Sequence, residues 1–180
     1  MTFEVELKFS IDDIESIEYD LIEEQAELIE IVMQRDHYYN HPTRDFQKTD
    51  EAFRIREEGQ DCYITYKGPK LDTDSKTRQE IELKIEQFDK MNQLLQLLGF
   101  TKVLVVSKER KKYFLRNIVF SLDFVETLGT YLEVEMQCDN DSEIEETKNK
   151  IFEEVSKFGL NPQDNIRISY LEMLLEKINK

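Results

Sequence analysis

Residues 2–9, TFEVELKF, alternate strictly between apolar and charged side chains after the first position. Successive side chains of a β-strand point to opposite faces, so this stretch predicts a strand with one apolar and one fully charged face. The charged face carries Glu4, Glu6 and Lys8. The near-repeat EIELK at 80–84 and the LEVEM of 132–136 space their acids in the same way, which predicts further strands of this kind.

The rest of the chain predicts an α+β fold. Further strands are predicted at 34–40, 51–57, 61–67, 77–86, 101–115, 117–125 and 130–137. Helices are predicted from Asp12 through Val32, at 88–98, after the capping-box spacing of Ser142 and Glu145, and at 166–178. About eight strands, with helices after the first, fifth and eighth, favour an antiparallel sheet with helices packed on it. The segment Leu71 to Ser75 is predicted to be a polar loop after Gly68 and Pro69 end a strand.

The polar faces of these strands repeatedly carry full charges. A half-buried sheet with a solvated charged face is the simpler interpretation of any single strand. Taken together, the faces favour a closed eight-stranded antiparallel barrel with the charges inside and the helices outside, just wide enough for one small ligand. The proposed inner acids are Glu4, Glu6, Glu80, Glu82, Asp123, Glu133 and Glu135, and the bases are Lys8, Arg54, Arg56, Lys67, Arg78, Lys84, Lys108 and Arg110.

Such an interior indicates a ligand, because buried charges are costly unless something compensates them. Carboxylates two residues apart on a strand suit Mg²⁺ or Mn²⁺, which prefer oxygen ligands. Arginine and lysine suit phosphate oxygens, and arginine can bind them in a bidentate manner. Carboxylates, a divalent metal and many cations together predict a polyphosphate ligand.

Composition excludes several classes of protein. The formal net charge of -15 disfavours nucleic acid and anionic membranes as partners, and no stretch is apolar enough to span a bilayer. No P-loop, dinucleotide fingerprint, GxSxG or HExxH occurs. Charges near the N-terminus argue against a signal peptide, so we expect one cytoplasmic domain over 1–180, with Cys62 and Cys138 as free thiols. His37 and His41 do not predict a metal site. They are four residues apart, but Pro42 disfavours the helix that would place both side chains on one face.

The stretch EVELKF at 4–9 resembles the ExExK signature of the CYTH superfamily, the triphosphate tunnel metalloenzymes. The resemblance covers nearly the whole chain and is most like the class IV adenylyl cyclase branch. It continues through HYYNHPTRDFQKTDEAFRIR (37–56), ITYKGPK (64–70), SKTRQEIELKI (75–85), SKERKKY (107–113) and YLEVEM (131–136).

The resemblance implies a tunnel that binds a triphosphate together with Mg²⁺ or Mn²⁺. The implied metal ligands are Glu4, Glu6, Asp123, Glu133 and Glu135. The implied phosphate-binding residues are Lys8, Arg54, Arg56, Lys67, Arg78, Lys108 and Arg110. Catalysis is assigned to Glu4, Glu6, Lys8 and Arg110, and Glu80, Glu82, Lys84 and Arg167 are further candidate tunnel residues.

Two reactions fit such a tunnel. An adenylyl cyclase would convert ATP to cyclic AMP and pyrophosphate, and the branch resemblance favours this activity. A triphosphatase would instead hydrolyse tripolyphosphate, thiamine triphosphate or a nucleoside triphosphate. A third hypothesis is a module that binds a polyphosphate or nucleotide without turnover, although five added carboxylates disfavour simple anion capture. The sequence leaves open whether the protein is a monomer or a homodimer.

Overall fold

The computed structural model describes residues 3–70 and 78–179 of the chain. Eight strands are found in these ranges: β1 Phe3–Ser10, β2 Glu27–Asn40, β3 Ala52–Glu58, β4 Asp61–Lys70, β5 Arg78–Ile85, β6 Thr101–Leu115, β7 Ile118–Val125 and β8 Gly129–Cys138. Four α-helices accompany them: α1 Ile14–Glu23, α2 Phe88–Leu97, α3 Ile144–Lys157 and α4 Tyr170–Ile178. No described helix has both the length and the apolar character needed to cross a membrane. The eight strands and four helices confirm the predicted α+β class.

All eight strands form one curled sheet in the order β1-β8-β7-β6-β2-β3-β4-β5, and every neighbouring pair is antiparallel. The prediction of a closed barrel is wrong, because the sheet is open. Its edge strands β1 and β5 approach each other, but no backbone pairing joins them in the described ranges.

The free edge of β1 is occupied by the C-terminal part of the chain, which gives a physical reason for the open sheet. The backbone N–H of Lys8 donates to Oδ1 of Asn165 over 3.0 Å. The backbone N–H of Ile166 in turn donates to the carbonyl oxygen of Lys8 over 2.7 Å. These two bonds use the groups that a paired β5 would need at this position.

The predicted helix from Asp12 through Val32 is too long. Helix α1 ends at Glu23, and Gln25 adopts a left-handed backbone with φ 63° that starts the turn into β2. Leu28 and Val32 lie on β2 instead of the helix. Residues four apart share a face of a helix and also a face of a strand, so this spacing could not separate the two structures.

Two smaller predictions also need correction. Strand β4 does not end before Gly68, but continues to Lys70 through a register shift after Lys67. Ser142 does not cap α3; it lies in a 3₁₀ turn, Asp141–Glu143, that leads into the helix. Parts of three predictions lie outside the described residues. They are the loop Leu71 to Ser75, residue 77 of the predicted strand 77–86, and residues 75–77 of the motif SKTRQEIELKI.

The apolar faces of the strands point outward, and the helices cover much of them. Val5 and Leu7 of β1 are completely buried together with Ile151 and Val155 of α3, in a cluster that also includes α1. A second apolar cluster, around Ile55, lies beneath α2. Burying side chains of this size stabilises a fold by roughly 1.5–3 kcal/mol each. The charged faces are thereby left on the concave side of the sheet.

Candidate active site

The concave side of the sheet encloses a cavity of about 330 Å³. Its wall combines side chains from seven of the eight strands with residues of α4 and of the segment between β2 and β3. Twelve of the residues predicted from the sequence line it: Glu4, Glu6, Arg54, Arg56, Lys67, Arg78, Glu80, Glu82, Lys108, Arg110, Glu133 and Glu135. The alternation that predicted charged inner faces therefore brings most of these side chains to one place.

One wall of the cavity is an arginine cluster around Asp36. Asp36 pairs in register with Arg56, and Tyr38 pairs with Arg54, so all four side chains lie on the concave face. Oδ2 of Asp36 accepts a bond of 2.9 Å from Arg54, while Arg56 donates to both carboxylate oxygens over 2.6 and 2.8 Å. Burial alone would raise the pKa of Asp36, but the two guanidinium groups outweigh it and hold that pKa well below its ordinary value.

A second cluster surrounds Asp123 on β7. Arg110 donates to both of its carboxylate oxygens over 2.6 and 2.5 Å, and also bonds to Glu133. Lys108 Nζ lies 3.2 Å from Oδ2 of Asp123. Burial, followed by the neighbouring charge of Arg110, lowers the pKa of Lys108 to about 8. Asp123 is completely buried, and it does not line the cavity.

The start of α4 covers this second cluster. The hydroxyl of Tyr170 donates to Oδ2 of Asp123 over 2.8 Å. Nζ of Lys8 lies 4.2 Å from the centre of the Tyr170 ring and bonds to the carbonyl oxygen of Ile168. Lys8 is completely buried, so it can reach a ligand in the cavity only if this part of the chain moves.

The open edge of the sheet carries the acidic part of the cavity. Glu6 pairs in register with Glu135, and Glu4 lies two residues from Glu6 on the same face of β1. Burial, followed by the neighbouring carboxyl of Glu135, raises the pKa of Glu4 to about 8. Burial also raises the pKa of Glu135. A cation that approaches such carboxyl groups stabilises their ionised form.

The chemistry of these acids fits a hard divalent cation. Cross-strand and diagonal neighbours on one face lie within reach of long side chains, so the backbone lets Glu4, Glu6 and Glu135 approach a common point. As their side chains stand, no three acidic, histidine or cysteine residues of the described ranges converge closely enough to hold a metal. A bound ion would therefore require these glutamate side chains to rotate, but not the strands to move.

Besides the buried Lys8 and Asp123, two further predicted tunnel residues lie off the cavity wall. Lys84 is largely exposed near the β3–β4 turn, where it pairs with Asp61 over 2.8 Å. Arg167 is exposed ahead of α4 and does not line the cavity. His37 lies on the opposite face of β2 from Asp36, next to Glu57 and the ring of Phe88.

Several residues of the site were not predicted from the sequence, among them Asp36, Lys112 and Tyr170. Asp36 could have been found, because it stands at an alternating position of the predicted strand 34–40, between Gln34 and Tyr38. Tyr170 had no such signal. It begins a helix, and only the chain path ahead of α4 brings it over Lys8.

Comparison with known proteins gives the family of this fold. The CYTH domain profile matches residues 2–170. The chain belongs to the CYTH domain family. A CYTH relative from Methanocaldococcus jannaschii, named as a candidate adenylate cyclase, is 41% identical over 170 residues, which are 94% of this chain and 97% of that protein.

Solved CYTH structures agree with the fold described above. A Pyrococcus horikoshii protein is 42% identical, with a TM-score of 0.88 over 97% of this chain and 99% of its own. A more distant one from Hippeastrum is 16% identical, with a TM-score of 0.62 over 96% of this chain and 99% of its own. Its description names it a candidate adenylyl cyclase with a dominant triphosphatase activity. At this identity the likeness concerns the fold alone.

Proposed function

We propose that this protein is a divalent-metal-dependent enzyme that acts on a triphosphate in the cavity. The observation that carries the proposal is the convergence of cationic side chains with glutamates from β1, β5 and β8 in one cavity. A linear triphosphate carries several negative charges, and arginine and lysine donors complement them at short range. The cations of the described ranges that line the cavity are Arg54, Arg56, Lys67, Arg78, Lys108, Arg110 and Lys112.

The reaction we propose is that of an adenylyl cyclase. The Methanocaldococcus relative, which covers almost the same length, carries that name. The cavity wall also includes Tyr38, Phe46, Val103, Leu171 and Leu175. An aromatic and aliphatic surface of this kind suits a nucleoside base, while the charged part of the cavity suits the phosphates.

Different residues would bind the phosphates, stabilise the leaving group and hold the metal in this reaction. The ribose 3′-hydroxyl gives up its proton to water and its oxygen attacks the α-phosphorus, the bond from that phosphorus to the bridging oxygen breaks, and pyrophosphate leaves with the electron pair. Arg54 and Arg56 would hold the phosphate chain, and Lys108 and Arg110 would stabilise the charge that develops on the leaving group. A cation held by Glu4, Glu6 and Glu135 would supply Lewis-acid polarisation of phosphate oxygens.

A triphosphatase is the second candidate. The Hippeastrum neighbour, whose fold is similar, is described as having a dominant triphosphatase activity. The same cations would then stabilise attack by water on the terminal phosphorus. A third candidate is binding without turnover, which needs the basic wall but not the acidic edge.

A single product assay separates these candidates. The protein is incubated with ATP, thiamine triphosphate or tripolyphosphate in the presence of Mg²⁺ or Mn²⁺, and the products are resolved by phosphorus NMR. Cyclic AMP with pyrophosphate supports the cyclase. Orthophosphate release without cyclic AMP excludes the cyclase and supports the triphosphatase. Tight binding without any turnover and without a need for metal supports the binding module.

A further inference from the structure

We propose that Asp36 is a positioning residue, which fixes the guanidinium groups of Arg54 and Arg56 in the orientation that triphosphate turnover requires. The inference rests on the proposed function and adds a residue that would act through the two arginines. Asp36 is 2% exposed, and it makes three hydrogen bonds to the two arginines.

The geometry leaves both arginines little freedom. Asp36 takes two of the five donors of Arg56, Nε and one terminal nitrogen, in a bidentate bond that fixes the plane of the group. Arg54 is held from a second side, because its Nε donates to Oγ1 of Thr65 over 3.4 Å. Thr65 in turn donates to Glu82 over 2.9 Å. This network joins β2, β3, β4 and β5 along the cavity wall.

The charge of Asp36 argues against a role in attracting the ligand. A carboxylate next to two guanidinium groups cancels one of their two positive charges, so it weakens the attraction of the cavity for an anion. The low pKa of Asp36 means that this charge persists over the ordinary pH range. What the carboxylate contributes is a fixed arrangement of donors, and positioning of this kind affects the rate more than ground-state binding.

The neighbouring part of the cavity wall, on β6 and β7, repeats this arrangement. Asp123 is buried and holds Lys108 and Arg110, two residues apart on β6, as Asp36 holds Arg54 and Arg56, two residues apart on β3. In both clusters the aspartate lies on the neighbouring strand and the cations line the cavity. The repetition supports a shared role for a buried carboxylate that holds a pair of cationic donors.

The test compares Asp36→Asn with a control of matched chemistry. Glu154 is also a buried carboxylate with two cationic partners, Arg116 and Lys157, but it lies on α3 away from the cavity. For Asp36→Asn we expect kcat to fall by about 10- to 100-fold, with the Kd for tripolyphosphate within about threefold of wild type. For Glu154→Gln we expect both quantities to stay within about twofold. Turnover is followed by phosphorus NMR and binding by calorimetry.

A folded Asp36→Asn protein that keeps kcat within about twofold of wild type would overturn the inference. A loss of affinity as large as the loss of kcat would also overturn it, because that result indicates a binding role. Wild-type protein that neither binds nor turns over a triphosphate would instead remove the proposed function, and this inference with it.

A second variant covers the case in which Asp36→Asn does not unfold cooperatively. Asp36→Glu keeps the charge and the buried ion pairs, but it moves the carboxylate by one methylene. Positioning predicts a fall in kcat of about fivefold or more for this variant. If only the charge of Asp36 matters, Asp36→Glu keeps wild-type turnover, and that result contradicts the inference.

Discussion

The hydroxyl of Tyr170 donates a hydrogen bond of 2.8 Å to the buried carboxylate of Asp123, and this bond fastens the start of α4 to the inner face of the sheet. The same ring lies 4.2 Å from Nζ of Lys8 and 5.0 Å from Nζ of Lys108. Burial, followed by the nearby charges of Glu133 and Asp123, raises the pKa of this hydroxyl well above its ordinary value, so it remains a donor at neutral pH.

Replacing Tyr170 by Phe removes this bond alone. We expect the free energy of unfolding to fall by about 1–2 kcal/mol, because Asp123 loses one donor while Arg110 and Lys108 remain. Urea unfolding followed by circular dichroism measures the change. Tyr19→Phe is the control, since Tyr19 is 61% exposed and its substitution should change stability by no more than about 0.5 kcal/mol. Equal stability of the two variants would show that the bond contributes nothing.

The raised pKa of Glu4 predicts that the stabilisation of the protein by a divalent metal depends on pH. This pKa is about 8 in the folded protein against an ordinary 4.5, so the folded state holds the proton more tightly. The corresponding stability is fully present below pH 4.5 and is lost as the pH rises toward 8. A divalent cation competes with that proton, so the rise in Tm caused by Mg²⁺ or Mn²⁺ should be larger at about pH 9 than at about pH 6.

Glu4→Gln should abolish most of this pH dependence, because the amide does not titrate. Glu146→Gln is the matched control, since Glu146 is an exposed residue of α3 that pairs with Lys150. A metal response that is equally large at both pH values in wild-type protein would contradict a cation site at Glu4.

Lys108 predicts a loss of anion affinity at high pH. Its pKa of about 8 means that the ammonium group loses its proton as the pH passes from 7 to 9. We expect the metal-free Kd for tripolyphosphate to rise by about tenfold over this range in a Glu4→Gln background, which removes the titration of Glu4. Adding Lys108→Gln should weaken binding at about pH 7 and flatten the profile. A profile of the same steepness with Gln at this position would show that another group titrates.

Arg56 predicts a direct contribution to phosphate binding. Arg56→Gln should raise the Kd for tripolyphosphate by about tenfold or more, because one charge-assisted donor group is lost. Arg35→Gln is the control on the same sheet: Arg35 is 59% exposed and lies outside the cavity. Calorimetry on both variants, with thermal unfolding to confirm the fold, measures the difference. Equal affinities would place the phosphates elsewhere.

Alternation made most of the fold predictable. A charged face and an apolar face repeat along the strands, and this period of two identified nearly all strands and twelve of the residues that line the cavity. The spacing of Leu28 and Val32 suits a helix and a strand equally, so it could not show that this segment is a strand. Alternation also could not show that Asn165 and Ile166 take the free edge of β1 and leave the sheet open.

The interior of the site was only partly predictable for a related reason. A strand pattern gives the face on which a side chain lies, but not its partner. The pattern placed Asp123 and Lys8 on the inner face of the sheet. It could not show that Arg110 and Tyr170 donate hydrogen bonds to the carboxylate of Asp123. Nor could it show that Lys8 lies beneath the Tyr170 ring. These contacts depend on the register of β6 with β7 and on the path of the chain before α4.

The central claim is that a metal bound at the acidic edge enables triphosphate turnover in this cavity. The most direct measurement is phosphorus NMR of ATP, thiamine triphosphate and tripolyphosphate incubated with wild-type protein and with Glu4→Gln/Glu6→Gln, each with and without Mg²⁺ or Mn²⁺. We predict that wild-type protein with metal converts ATP to cyclic AMP and pyrophosphate, and that the double variant loses this turnover while it still binds tripolyphosphate. Metal-independent binding by wild-type protein, with no turnover of any of the three substrates, would contradict the claim.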